Sequence, residues 1–327
     1  MKAETEDWCL AALADFGLAG TDIMIIKSEA DRMEFNFAGF NGLLRLTSIP
    51  PEELDAMMAW EALLSQRKMA GKRLLTGSGG TWTAVDERSR AVLTVWEGAD
   101  IHRLETLPGI AGVAQYLGVF RRLAETSAYR APQAPGIGWG ESLAKRTERL
   151  AGFAVLATER LNPTPFDLTY LEQANYFQKQ AERGTTELQN SLAQIEPGVA
   201  LTEVDRHLFY STPDGLALKT LLGLSVDAPI RDLYRLMARV LPRLDWSSET
   251  AREILRSYAA AWPLSGAELE VLRAGLRFPH EHYRLSRHYF LNRKNWPLRT
   301  FLRKQEKVWR QEPLRTRVLE DLPLLLP

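Results

Sequence analysis

Near the start of the chain, apolar positions come in short alternating or unbroken runs, 22-DIMIIKS-28, 32-RMEFNFAGF-40 and 43-LLRLTSI-49, separated by turn-forming residues. Runs of this length and period predict three β-strands. They follow a helix expected from residue 1 to about residue 20, which Gly17 or Gly20 would end. After Pro50-Pro51 the apolar spacing lengthens to three and four across 52-EELDAMMAWEALLSQRK-68, and proline ahead of an acidic first turn marks a helix start. Two further runs, 81-TWTAV-85 and 91-AVLTVWEG-98, flank the charged turn DERSR and predict a hairpin.

From about residue 109 the helical period takes over. Segments 109–128, 142–161, 168–195, 232–244 and 249–262 are amphipathic, and the pattern continues from 266 to the C-terminus. The stretch 131-APQAPGIGWGE-141 is the strongest loop candidate, and no repeat interrupts the series. A small strand-rich part with one main helix, followed by a large helical part, is an α+β two-lobed arrangement, expected to divide into 1–98 and 99–327.

Composition adds constraints rather than a function. The chain has 327 residues, 45% of them hydrophobic and 25% charged, as in an ordinary globular protein. Lys plus Arg and Asp plus Glu both number 41, so no net field draws the chain to nucleic acid or to an anionic membrane. Zero net charge also removes one protection against self-association, which leaves a homo-oligomer open. A single cysteine, Cys9, excludes an internal disulfide framework and points to a reducing compartment; its apolar setting, 8-WCLAALADFGLAG-20, favours packing over reactivity. No basic-then-apolar leader opens the sequence and no segment is long enough to span a bilayer, so cytoplasmic residence without membrane insertion is expected.

The order of three strands, a helix, a hairpin and a short 96-WEG-98 linker into helices resembles the aminoglycoside phosphotransferase and choline kinase group. More specifically, 228-APIRDLYRLMARVL-241 and 257-SYAAAWPLSGAELEVLRAGLRFPHEHYRLSRHYFLNRKNWPLRTFLRK-304 resemble CotS-type spore coat proteins. The carriers are a Pro-basic-Asp-Leu element, a Pro-Leu-Ser helix start with a following acid, a Phe-Pro turn, a paired aromatic and a Lys-x-Trp segment. The resemblance implies a kinase-like fold, a coat component made in the mother cell and deposited on the spore, and other spore coat proteins as partners.

The same resemblance locates the kinase positions. Phosphoryl transfer needs held phosphates, a metal clamp and a group that accepts or orients a proton. The sequence 205-DRHL-208 has the letters of a kinase catalytic loop in the wrong order, and chain direction makes that an accident. In register, Asp205 falls on the base, His207 on a histidine that often follows, Glu203 on the loop's first histidine, and Tyr210 on the metal-binding amide. Thr220 and Leu222 fall where the metal-binding acids belong, and neither suits Mg²⁺. The phosphate-contacting lysine of the third strand is Arg45, with Glu61 as its helix partner, and the first turn, 27-KSEADRMEF-35, has no glycine to approach phosphates. A surface pair is the plain alternative for Asp205 and His207, and the glycines of 77-GSGG-80 read as a turn. A catalytically inactive kinase-like protein without cofactor is therefore expected. A phosphotransferase using ATP and Mg²⁺ is the alternative, and adenine binding along Trp96, Glu97 and Gly98 lies between the two.

Three features remain. His280, His282 and His288 lack zinc-ligand spacing and are expected to be polar helix positions. Asp232 suits a helix N-cap or a bracing hydrogen bond. Residues 284–310 carry nine cations, including Arg284, Arg287, Arg293, Lys294, Arg299, Arg303 and Lys304, against the single acid Glu306. They form either a solvated helix face or a dock for an acidic partner surface; nucleic acid is disfavoured because the rest of the chain carries the compensating charge.

Overall fold

In the computed structural model, residues 2–69, 82–97, 106–126, 138–201, 204, 208–212, 215–219, 222 and 224–325 are described. The elements are α1 (Lys2–Asp15), β1 (Met24–Glu29), β2 (Arg32–Phe37), β3 (Phe40–Thr47), α2 (Pro51–Gln66), β4 (Trp82–Ala84), β5 (Arg90–Trp96), α3 (Leu107–Thr126), α4 (Trp139–Thr158) and α5 (Pro165–Leu192). Four short strands follow: β6 (Gly198–Leu201), β7 (Phe209–Thr212), β8 (Gly215–Leu218) and β9 (Leu224–Asp227). The chain ends with α6 (Ile230–Val240), α7 (Ser248–Ala259), α8 (Gly266–Arg277), α9 (His280–Phe290) and α10 (Leu298–Asp321).

Two compact units divide the described residues. One holds those up to 97, Thr126 and those from 201 to 225; the other holds 106–125, 138–200 and 226–325. A single cut at residue 98 does not reproduce this division. The segment carrying β7 and β8 joins the first unit, where the Leu218 amide donates to the Met69 carbonyl at 2.9 Å.

In the first unit, β1 to β5 form an antiparallel sheet in the order β1-β2-β3-β5-β4. Ala38 and Gly39, at φ 46° and 85°, make the left-handed two-residue turn that joins β2 to β3. One sheet face packs Phe35, Leu44, Leu93 and Val95 against Cys9 and Leu13 of α1 and Phe16 just after it, so Cys9 is a core residue. The β1 edge is unusual, because Met24, Ile25 and Ile26 are 65%, 56% and 58% exposed.

In the second unit, the Thr147 hydroxyl on α4 lies 2.9 Å from that of Thr185 on α5. Helix α5 approaches α8 at Gly184, where a Cβ would lie 3.0 Å from the Phe278 nitrogen. The expected Pro-Leu-Ser helix start is a capping box: Ser265 Oγ accepts from the Glu268 amide, and the Glu268 carboxylate accepts from the Ser265 amide. That carboxylate is buried and also receives the Arg121 guanidinium of α3. Among the described residues, no helix is long and apolar enough to cross a membrane.

Of the two roles considered for Asp232, the α6 cap position falls to Pro229; Asp232 lies in the first turn, 4% exposed, and accepts from Arg235 at 3.3 Å. One expectation is corrected by packing. His282 is not a polar surface position, because it is 2% exposed and its ring stacks 3.9 Å from Phe177 and 5.0 Å from Tyr170.

Candidate functional site

The kinase positions that the structure describes gather in the first unit. The pairing of β3 with β5 sets Arg45 opposite Val92 and leaves its side chain half-buried. Its Nη1 donates to the backbone carbonyl of Leu222 at 3.3 Å. The side chain expected at the phosphate-lysine position thus donates to the backbone of the residue expected at the metal-acid position.

Two residues before Arg45, Leu43 packs with Trp96, Tyr210 and Ala217 in a buried cluster. The register of β7 on β8 sets Tyr210 opposite Ala217, and the small partner leaves room for the Tyr210 ring 6.0 Å from Trp96. Tyr210 is 5% exposed and its phenol is pushed up to about 12, first by burial and then by the nearby Glu61 carboxylate. It stays protonated at neutral pH and offers no anionic ligand. Glu61 itself is 1% exposed on α2.

Sequence reasoning missed Lys219. It is 2% exposed, and its ammonium lies 4.8 Å from the Trp96 ring centroid, a cation–π contact inside the fold. A lone cation in the apolar run 215-GLALKTLLGL-224 was the available signal. The linker residue Trp96 is 4% exposed and covered by this cluster, whereas Glu97 is exposed. Asp205, His207, Glu203, Thr220, Gly98 and 77-GSGG-80 lie outside the described residues. At the remaining positions, Arg45, Tyr210 and Leu222 do not supply the set of hard oxygens that Mg²⁺ needs. The turn expected to cover phosphates, Ala30–Asp31, is flanked by Glu29, which pairs with Lys27 at 2.6 Å and Arg32 at 2.7 Å.

In the second unit, Arg284, Arg287, Arg293, Lys294, Arg299, Arg303 and Lys304 are all exposed. Arg284 pairs with Glu281, and Lys304 lies 4.8 Å from the Trp296 ring centroid. The other five make no ion pair among the described residues. His288 registers the resulting field: burial lowers its pKa first, and the charges of Arg284, Lys294, Arg287 and Lys304 lower it further.

No family model matches the chain. Spore coat protein S of Bacillus subtilis is 30% identical over 115 residues, a stretch that is 32% of this chain and 30% of that protein. Solved structures resemble the chain over nearly its whole length. An aminoglycoside phosphotransferase from Alicyclobacillus acidocaldarius has a TM-score of 0.77 at 16% identity, covering 96% of this chain and 95% of its own. A spectinomycin phosphotransferase solved with ADP and spectinomycin has a TM-score of 0.59 at 10% identity, covering 94% and 98%. A choline/ethanolamine kinase family protein from Mesorhizobium loti has a TM-score of 0.56 at 13% identity, covering 97% and 98%. Both resemblances read from the sequence, to CotS-type proteins and to the phosphotransferase fold, are found.

Proposed function

From a chain with the kinase-like fold and a likeness to spore coat protein S, we propose a structural component of the bacterial endospore coat that carries out no phosphoryl transfer. The observation that carries this reading is the contact between Arg45 and the Leu222 carbonyl, beside the closed cluster of Leu43, Trp96, Tyr210 and Ala217. Among the described residues, the Arg45 guanidinium is spent on the protein's own backbone and Tyr210 is packed into an apolar cluster, which supports a fold that gains nothing from ATP and Mg²⁺. The protein is made in the mother-cell cytoplasm and deposited on the spore.

Its partners are other coat proteins with acidic surfaces, which the exposed cations between Arg284 and Arg310 attract and orient. Reversing Arg303 and Lys304 to glutamate lowers recruitment to the coat; unchanged recruitment removes this face from the account. The open β1 edge, with Met24, Ile25 and Ile26 exposed, supplies a surface for pairing between copies.

The first experiment is a thermal-shift titration with ATP, with and without Mg²⁺. A ligand that prefers the folded state must raise the melting temperature with concentration. No shift at millimolar ATP is expected. A Mg²⁺-dependent shift favours the second reading, a nucleotide-binding phosphotransferase, which the activities named for the solved relatives support.

A further inference from the structure

Helices α4, α5 and α9 line a half-open pocket of about 340 Å³ in the second unit, independent of the kinase positions. Leu150 and Ala154 of α4 and Leu171 and Ala174 of α5 form its apolar wall, and exposed Ala151 and Asn175 place its mouth at the surface. A space of this size with an apolar wall and few polar groups is in the range used for small ligands.

Two polar atoms here have no partner. His282, stacked between Tyr170 and Phe177, is 2% exposed and its Nε2 makes no hydrogen bond. Gln178 donates through Nε2 to Glu182 at 2.9 Å, while its buried Oε1 accepts nothing. An orphaned buried polar atom costs free energy unless a water or a ligand completes it. The cavity lining holds no Asp, Glu, Lys or Arg, so a charged ligand would find no counter-ion. Burial also pushes the His282 imidazole down to about 3, which keeps it neutral at physiological pH. His282 borders a second space of about 20 Å³ as well, room for one water and no more.

We propose that the cavity between α4, α5 and α9 binds a neutral small molecule with an apolar body and one hydroxyl group, the body lying along Leu150, Ala154 and Phe177 and the hydroxyl engaging His282 Nε2 and Gln178 Oε1. The chemistry excludes nucleotides and polycationic sugars, so this site stands whether or not the kinase positions are active.

The test titrates the full chain at pH 7 with 2-naphthol, naphthalene and 2-naphthoate, read by ligand fluorescence and by the side-chain signals of ¹⁵N-labelled histidines. Saturable 2-naphthol binding that moves the His282 signal is expected, with His282→Phe weakening it about tenfold and changing naphthalene binding less than about twofold, the loss being that of one hydrogen bond. Naphthoate should bind at least tenfold more weakly than naphthol, for want of a counter-ion. Ala154→Trp, on a half-exposed helix face, fills the cavity and abolishes binding of both neutral probes, which keeps the test decisive if His282→Phe fails to fold. An unmoved His282 signal means that a water in the smaller space satisfies the imidazole. That result, absence of saturable binding, or equal affinity for naphthol and naphthoate overturns the proposal.

Discussion

Replacing Arg315 by leucine should be among the most damaging single changes in the second unit. Arg315 is 4% exposed on α10, and its Nε donates to both oxygens of Glu312, at 3.1 and 3.0 Å. Its Nη1 donates to the carbonyls of Leu276 and Arg277 at 3.0 and 2.5 Å. Those two residues end α8, where backbone carbonyls have no partner inside the helix. One guanidinium therefore neutralises a carboxylate that is 6% exposed and caps a neighbouring helix. Arg315→Leu leaves Glu312 with the Tyr176 hydroxyl at 3.1 Å but no cation, and strips two carbonyls. Breaking a buried pair from one side costs about 3–5 kcal/mol, so a loss of about 4 kcal/mol is expected in urea unfolding followed by circular dichroism. The double variant Glu312→Leu, Arg315→Leu removes the stranded charge and should recover about 2 kcal/mol of that loss. A single variant within about 1 kcal/mol of the parent, or a double variant worse than the single, refutes the reasoning.

Burial lowers the folded pKa of His282 to about 3, below its usual 6.5, so the unfolded chain binds a proton that the folded chain refuses. Burial pushes His280 down to about 3 in the same way, so the two contributions are complete above pH 6.5 and are lost together as pH falls toward 3, each with a slope approaching about 1.4 kcal/mol per pH unit; urea unfolding between pH 7 and 5 should show the summed slope, and His282→Phe should remove about half of it. Gly118→Ala puts a Cβ 2.5 Å from the Tyr258 carbonyl oxygen, a backbone atom that cannot swing away, and should cost about 1–3 kcal/mol by the same urea assay. Ser265→Ala removes one half of the α8 capping box and should cost about 1 kcal/mol; no loss would mean that the pairing of Glu268 with Arg121 alone sets that helix start.

The order and kind of the long elements follow from local sequence signals. Pro51 ahead of Glu52 and Glu53 starts α2, Ser265 with Glu268 starts α8, and the alternating 32-RMEFNF-37 becomes a strand with every second side chain buried. These are local effects, in which one turn of chain carries its own cap or its own period. The four-residue strands β6 to β9 stayed hidden, because so short a run has no period to detect, and β6 pairs only with the distant β9. The candidate site divides in the same way. Motif register named Arg45, Glu61, Tyr210 and Leu222, but only the fold turned Arg45 to the Leu222 carbonyl and stacked Tyr210 against Trp96. Lys219 and His282 carry polar labels in sequence and sit in the interior, since burial depends on what distant segments lay over a residue. Periodicity sees a residue's neighbours along the chain; only tertiary packing decides which distant groups desolvate it, pair with it or leave it unpaired.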